Sequence, residues 1–244
     1  METETVREIV TKNPEAAHVF KSLGIDYCCG GERSVLEACD RAGVAPERLA
    51  ELLEKAVADA NPPEESRRWV EAPLSDLMAH IVRQYHDRVR QEGPRLESLF
   101  ERVINRHAAL HPDLFRPREL FASLVEEMLT HQLKEEQVLF PYIEKMETAA
   151  AAHEPLPAAF FGSVRNPIAH MIADHDDAGS LLKELRAATS DFQAPADACT
   201  TWRGLYKGLE EFERDLHQHL HLENNILFPR ALKLEADNAA DSSR

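Results

Sequence analysis

Apolar residues recur at three- and four-residue spacing along most of this chain. Leu74, Leu77, His80, Ile81 and Gln84 keep that spacing, as do Leu120, Leu124, Glu127 and Met128, the pattern of helices with one face turned inward. It predicts long helices near 74–105, 117–148, 165–187 and 197–233. Between them run loops at 106–116, 149–162 and 188–196, which hold Pro112, Pro155, Pro157 and Pro195. Long helices joined by loops of ordinary length predict an all-α fold built on an antiparallel four-helix bundle. Shorter helical patterns at 4–22, 34–42 and 46–59 lie upstream, around the glycine-bounded segment Gly24–Gly31. A module of about sixty residues folds alone only marginally, so this one is expected to lean on the bundle or on a partner. Asn61–Arg68 carries two prolines and a charge cluster and reads as a linker. The expected organisation is a helical module over 1–60, a linker over 61–72, the bundle over 73–234 and a disordered tail over 235–244.

Composition narrows the partners. The 244 residues include 28 Lys and Arg against 43 Asp and Glu, a formal net charge of −15, which argues against nucleic acid or an anionic membrane surface as main partner. The 9 glycines are few, and strictly alternating segments are missing, which disfavours a β-sandwich or barrel. No basic region followed by an apolar run opens the sequence, so no secretory signal is expected, and no apolar run approaches the ~18 residues of a membrane span. Four cysteines, Cys28, Cys29, Cys39 and Cys199, do not form a disulfide framework in a chain of this size. The expected compartment is the reducing cytosol.

The most informative feature is an internal duplication. His131-Gln-Leu-Lys-Glu-Glu-Gln-Val-Leu-Phe-Pro141 aligns without gaps on His219-Leu-His-Leu-Glu-Asn-Asn-Ile-Leu-Phe-Pro229, identical at the His, at the Glu four residues on and at Leu-Phe-Pro. His86-Asp87 upstream of the first copy matches His175-Asp176 upstream of the second, with spacings of 45 and 44 residues to the repeat histidine. Each helical hairpin thus offers a His on one helix and His-x-x-x-Glu on the next. Positions four apart share a helix face, so His131 points with Glu135, and His219 with Glu223. Glu136 turns away, and His217 and His221 point to an opposite, solvated face. His86, His131, Glu135, His175, His219 and Glu223 are therefore the expected metal ligands. Four imidazoles and two carboxylates without a thiolate favour a pair of iron or manganese ions over a closed, four-coordinate zinc site.

The duplication extends one turn backwards. Glu127 precedes His131 by four residues, and Asp215 precedes His219 by four. These carboxylates are read as partners of the ligands or as a lane for a cation, with ordinary surface acids as the alternative. Asp174 and Asp87, beside ligand histidines, are candidates to hold those histidines. Pro141 and Pro229 lack an N–H and are expected to bend or end their helices. Adjacent Cys28 and Cys29, followed by Gly30 and Gly31, close only a strained ring with each other. They are read as thiols for redox exchange or for handing to a metal, with two inert buried cysteines as the alternative.

Together, Asp26–Gly31, Tyr85-His86-Asp87, His131–Pro141, Asp174-His175-Asp176 and His219–Pro229 resemble the iron–sulfur cluster repair di-iron family (RIC, ScdA/YtfE type), from about residue 5 to 233. The resemblance implies a hemerythrin-like bundle with two non-haem irons in an Fe–O–Fe unit. Glu135 and Glu223 would bridge them, and Cys28 and Cys29 would assist transfer. The implied function is repair of iron–sulfur clusters damaged by nitric oxide or peroxide, with iron donated to damaged proteins as clients, possible action as a homodimer, and a place in the stress response. A di-iron reductase forming nitrous oxide from nitric oxide is the first alternative. A hemerythrin-like O2 or NO sensor is the second, which the Cys-Cys module disfavours. Asp174 departs from the Glu common at that position.

Overall fold

A computed structural model describes residues 4–13, 16–27, 31, 33–59 and 69–241. Among them all regular structure is helical apart from one isolated bridge between Thr5 and Ser34. The short helices are α1 (Val6–Lys12), α2 (Ala16–Ser22), α3 (Val35–Ala42) and α4 (Pro46–Asp59). The long ones are α5 (74–107), α6 (115–151), α7 (Arg165–Ala188) and α8 (200–241). Two compact units result, one of Met1–Leu77, Glu144–Pro157 and Leu220–Arg244, the other of Met78–Ile143 and Ala158–His219.

The second unit carries the body of the bundle, and its contacts give the helix directions. His86 of α5 lies beside Glu135 of α6, while Phe100, a long way along α5, packs 5.8 Å from Phe121 near the start of α6. His131 meets His175, and Arg116 donates to Glu184 at 2.6 Å, so α6 and α7 also run antiparallel. His175 faces His219, and Arg186 binds Glu213, which sets α8 antiparallel to α7. Leu96, Phe100, Val103, Phe121, Leu124, Leu182 and Leu205 fill the interior with at most 2% exposure. These are the positions that three-and-four spacing turns inward. Gly93 of α5 lets α6 approach closely: a Cβ there would stand 2.9 Å from Val125 Cγ1.

The first unit builds the N-terminal helices onto the ends of α6 and α8. Thr5 and Glu8 close a reciprocal cap on α1, with Glu8 N donating to Thr5 Oγ1 at 3.2 Å and Thr5 N to Glu8 Oε2 at 2.9 Å. The helix pattern at 4–22 is divided in two, because Asn13 precedes Pro14 and takes an extended backbone, φ −142° and ψ 92°. Ser34 caps α3, and Gly43 ends it in the left-handed region at φ 65°. Glu147 caps the first turn of α5, accepting from Leu74 N at 2.5 Å and Ser75 N at 3.0 Å. Arg230 of α8 donates to the carbonyls of Trp69 and Ala72, at 2.7 and 2.6 Å. The last four residues of the expected linker are therefore fastened in place.

The expected tail changes, and the bend-or-end expectation for the two prolines narrows. The closing helix runs through Asp241, past residue 234 where the apolar pattern fades. Its Ala-rich end forms helix readily, and Asn238 donates to the carbonyl of Glu154. Pro141 and Pro229 also do not end their helices: each follows a wide π-turn and is carried onward in α-helix. No described helix is long and apolar enough to cross a membrane.

Candidate metal centre

Three of the four long helices change pitch where they carry a predicted ligand. Val82–His86 of α5, Glu135–Leu139 of α6 and Glu223–Leu227 of α8 are π-turns, closed by Asp87 N to Val82 O, Phe140 N to Glu135 O and Phe228 N to Glu223 O. A π-turn adds a residue to one turn and re-aims the side chains beside it. Both copies of the duplication place it at the same point, directly before Phe-Pro. A proline there removes the N–H that an α-turn would need, which favours the wider turn in those two copies.

In the second unit the turns bring His86, His131, Glu135, His175 and His219 together, none more than 1% exposed. His86 Nε2 lies 3.1 Å from His219 Nε2 and 3.4 Å from Glu135 Oε2. His131 Nε2 lies 3.0 Å from His175 Nε2 and 3.3 Å from Glu135 Oε2. Glu223, also fully buried, follows His219 by four residues along α8, at the start of its π-turn. The ligand atoms of His86, Glu135, His219 and Glu223 lie within 4.8 Å of one another, as do those of His131, Glu135, His175 and Glu223. Both glutamates belong to both groups.

The donor set fits a cation. His86 Nδ1 is 2.7 Å from Glu136 Oε1, and His131 Nδ1 is 3.2 Å from Asp174 Oδ2. A carboxylate only accepts, so each Nδ1 holds the proton and each Nε2 presents its lone pair to the centre. Buried carboxylates converging with such nitrogens are costly without nearby positive charge, and metal ions supply that charge.

The carboxylates behind the histidines are themselves held. Glu136 also accepts from Arg90, which pairs in turn with Asp87 at 3.1 Å. Burial pushes the Glu136 carboxyl up, but Arg90 and His86 outweigh it and hold the group below the usual range. The hydrogen bond from His131 holds the Asp174 carboxyl well below its usual range against the effect of burial, and Lys134, 2.8 Å away, adds to it. Asp174 is thus placed where the sequence expects a partner for a ligand histidine, whereas Asp87 reaches Arg90 instead. Glu136 was missed because counting 100° per residue assumes an unbroken α-helix, and the π-turn beginning at Glu135 alters the phase.

Glu127 and Asp215 occupy different surroundings. Glu127 lines an open hollow of about 390 Å³ with Glu126, His131, Lys134, Asp174 and Asp177. Burial, then Asp177, Asp174 and Glu126, push its carboxyl up. Asp215 pairs with Arg88 beside a narrow cleft lined by Tyr85, Val89, Phe212, Leu216 and His219. Tyr85 stacks on His219 with centroids 5.7 Å apart. His221, expected on a solvated face, is instead buried at 4% exposure against Asn225 and Tyr27. The end of α8 is covered by N-terminal residues that helix counting along α8 alone does not include. Cys28 and Cys29 lie outside the described residues.

An all-helical bundle with buried histidine–glutamate groups is the architecture of hemerythrin-type cation-binding proteins. The sequence profile of the hemerythrin HHE cation binding domain matches residues 77–231, and that of ScdA_N, a domain of unknown function (DUF542), matches residues 2–57. The chain is 37% identical to the iron–sulfur cluster repair protein YtfE of Musicola paradisiaca, over 96% of this chain and 98% of the relative. It is 36% identical to the proteins of that name from Pectobacterium carotovorum and Pectobacterium atrosepticum, in each case over 95% of this chain and 98% of the relative. The chain belongs to the YtfE family of iron–sulfur cluster repair proteins.

Proposed function

We propose that the chain holds two iron ions and uses them to repair iron–sulfur clusters damaged by nitrosative or oxidative stress, in the cytoplasm, by donating iron to the damaged proteins. His86 and His219 would hold one ion and His131 and His175 the other, with Glu135 and Glu223 shared between them. The observation that carries this reading is the pair of buried four-residue groups that have both glutamates in common. Bound there, iron supplies a redox-active centre and a transferable cargo. Glu136 and Asp174 hold the protons of His86 and His131 at Nδ1, which orients both rings and leaves Nε2 to bind. The acidic hollow beside His131, with Glu126, Glu127, Asp174 and Asp177 on its walls, supports passage of a cation. Cys28 and Cys29 would assist the transfer as thiols.

One observation favours a second reading, reduction of nitric oxide to nitrous oxide by the same centre. The cleft at His219 is narrow, with Tyr85, Val89, Phe212 and Leu216 on its walls beside the mutually paired Arg88 and Asp215, which suits a small molecule without net charge. An anaerobic assay separates the readings. Iron-loaded protein mixed with an apo iron–sulfur protein should restore its cluster, and a Cys28→Ala, Cys29→Ala variant should restore it more slowly. Nitrous oxide formed with an external electron donor, without any cluster recovery, would replace repair with reduction.

A further inference from the structure

Asn225 follows Glu223 by two residues, inside the π-turn of α8, and is 3% exposed. Its side chain makes contacts both within α8 and with N-terminal residues. Its Nδ2 donates to the carbonyl of Tyr27 at 3.0 Å and lies 2.8 Å from His221 Nδ1. Its Oδ1 accepts from Arg7 Nε of α1 at 3.1 Å. Its backbone carbonyl would meet the N–H of residue 229 in an α-helix, but Pro229 has none, and Thr11 Oγ1 approaches that carbonyl at 3.4 Å.

The other end of the same N-terminal segment closes on the same residue. Gly31 is buried, and its carbonyl accepts from Arg7 N at 2.8 Å. A Cβ on Gly31 would stand 2.6 Å from Asn225 Oδ1 and 3.3 Å from Arg7 Cβ. Glycine is needed here for close approach rather than for an unusual backbone angle. Tyr27 and Gly31, the residues flanking Cys28-Cys29-Gly30 in sequence, are therefore both seated against one carboxamide on the helix that carries Glu223. Cys28 and Cys29 themselves lie outside the described residues.

We propose that Asn225 is a positioning residue, which holds Arg7, Tyr27 and Gly31 against the Glu223-bearing turn of α8, and that iron transfer depends on this contact. The proposal rests on the reading of the chain as an iron donor, but its structural half does not. A carboxamide is the one neutral side chain of this length that donates to the Tyr27 carbonyl and accepts from Arg7 at once. Aspartate keeps only the acceptor, and alanine keeps neither.

The test uses full-length, iron-loaded Asn225→Ala, read by amide exchange and by transfer to an apo iron–sulfur protein. Exchange across 5–12 and at 25–27, 31, 33 and 34 should accelerate about tenfold or more as those contacts are lost. Iron content should hold near the wild-type level, while the transfer rate falls roughly tenfold. Asn225→Gln, which keeps both hydrogen-bonding functions, should recover part of both losses. Gly31→Ala wedges the same contact from the opposite side; it should copy Asn225→Ala, and it serves if that variant does not fold. Wild-type exchange in both variants would overturn the lock, and faster exchange with unchanged transfer would overturn its role in transfer. If the wild-type protein itself transfers no iron, the functional reading fails, and the exchange comparison still decides whether Asn225 holds the segment.

Discussion

At the scale of single residues, the centre depends on groups that do not face it. Glu136 and Asp174 hold the Nδ1 protons of His86 and His131. Loss of such a partner weakens metal retention roughly 10- to 100-fold. Glu136→Gln should release iron to a chelator faster by that order while leaving the helical circular dichroism unchanged; wild-type release would deny Glu136 its orienting part. His221 gives a second prediction. Burial pushes its pKa down from the ordinary 6.5 to about 4, so the folded state holds it neutral. Between those values the unfolded chain binds the extra proton, and stability contributed by neutral His221 is lost as pH falls from about 6.5 towards 4. By linkage, about 2 kcal/mol should be lost between pH 7.5 and pH 5. Urea unfolding at both pH values should show His221→Gln losing less than wild type by that amount; equal losses would contradict it. The convergence of six histidines and glutamates was legible because a duplication repeats a His-x-x-x-Glu pair together with a histidine 44 or 45 residues before it. Glu136 and Asn225 were not, since their roles depend on a π-turn and on a contact between residues 198 or more apart in sequence.

At the scale of elements, three π-turns set the aim of side chains in the buried histidine–glutamate cluster, and close helix contacts keep the helices in register. The extents of the long helices were readable from apolar spacing except at the end of α8, and the antiparallel order from loops of ordinary length between them. The pitch changes left no mark in that spacing; only Phe-Pro after two of them hinted at a break, and Val82–His86 has no such signal. Gly93 tests the packing between α5 and α6. Alanine is the better helix former by about 1 kcal/mol, yet its Cβ would stand 2.9 Å from Val125 Cγ1 in a filled interior. Overpacking of this kind costs about 1–3 kcal/mol, so Gly93→Ala should lower the melting temperature. Adding Val125→Ala should recover part of the loss beyond additivity. A Gly93→Ala protein more stable than wild type would show that the helices separate freely.

At the scale of the whole molecule, the chain carries a net charge of −15, and an acidic hollow adjoins His131 while a narrow cleft adjoins His219. Sequence reading divides the chain linearly into module, linker and bundle. In the folded chain the N-terminal residues group with the ends of α6 and α8, because Arg7, Thr11, Trp69 and Ala72 find their polar partners there. Such pairings join residues of no local pattern, so no periodicity announces them. The most direct test of the account is metal analysis of anaerobically purified protein beside Glu135→Ala and Glu223→Ala. About two irons per wild-type chain are expected, as in dinuclear carboxylate bundles, with both ions weakened by either substitution because each glutamate belongs to both groups. A single ion per wild-type chain, or a variant that loses one ion and keeps the other tightly, would contradict a shared two-iron centre.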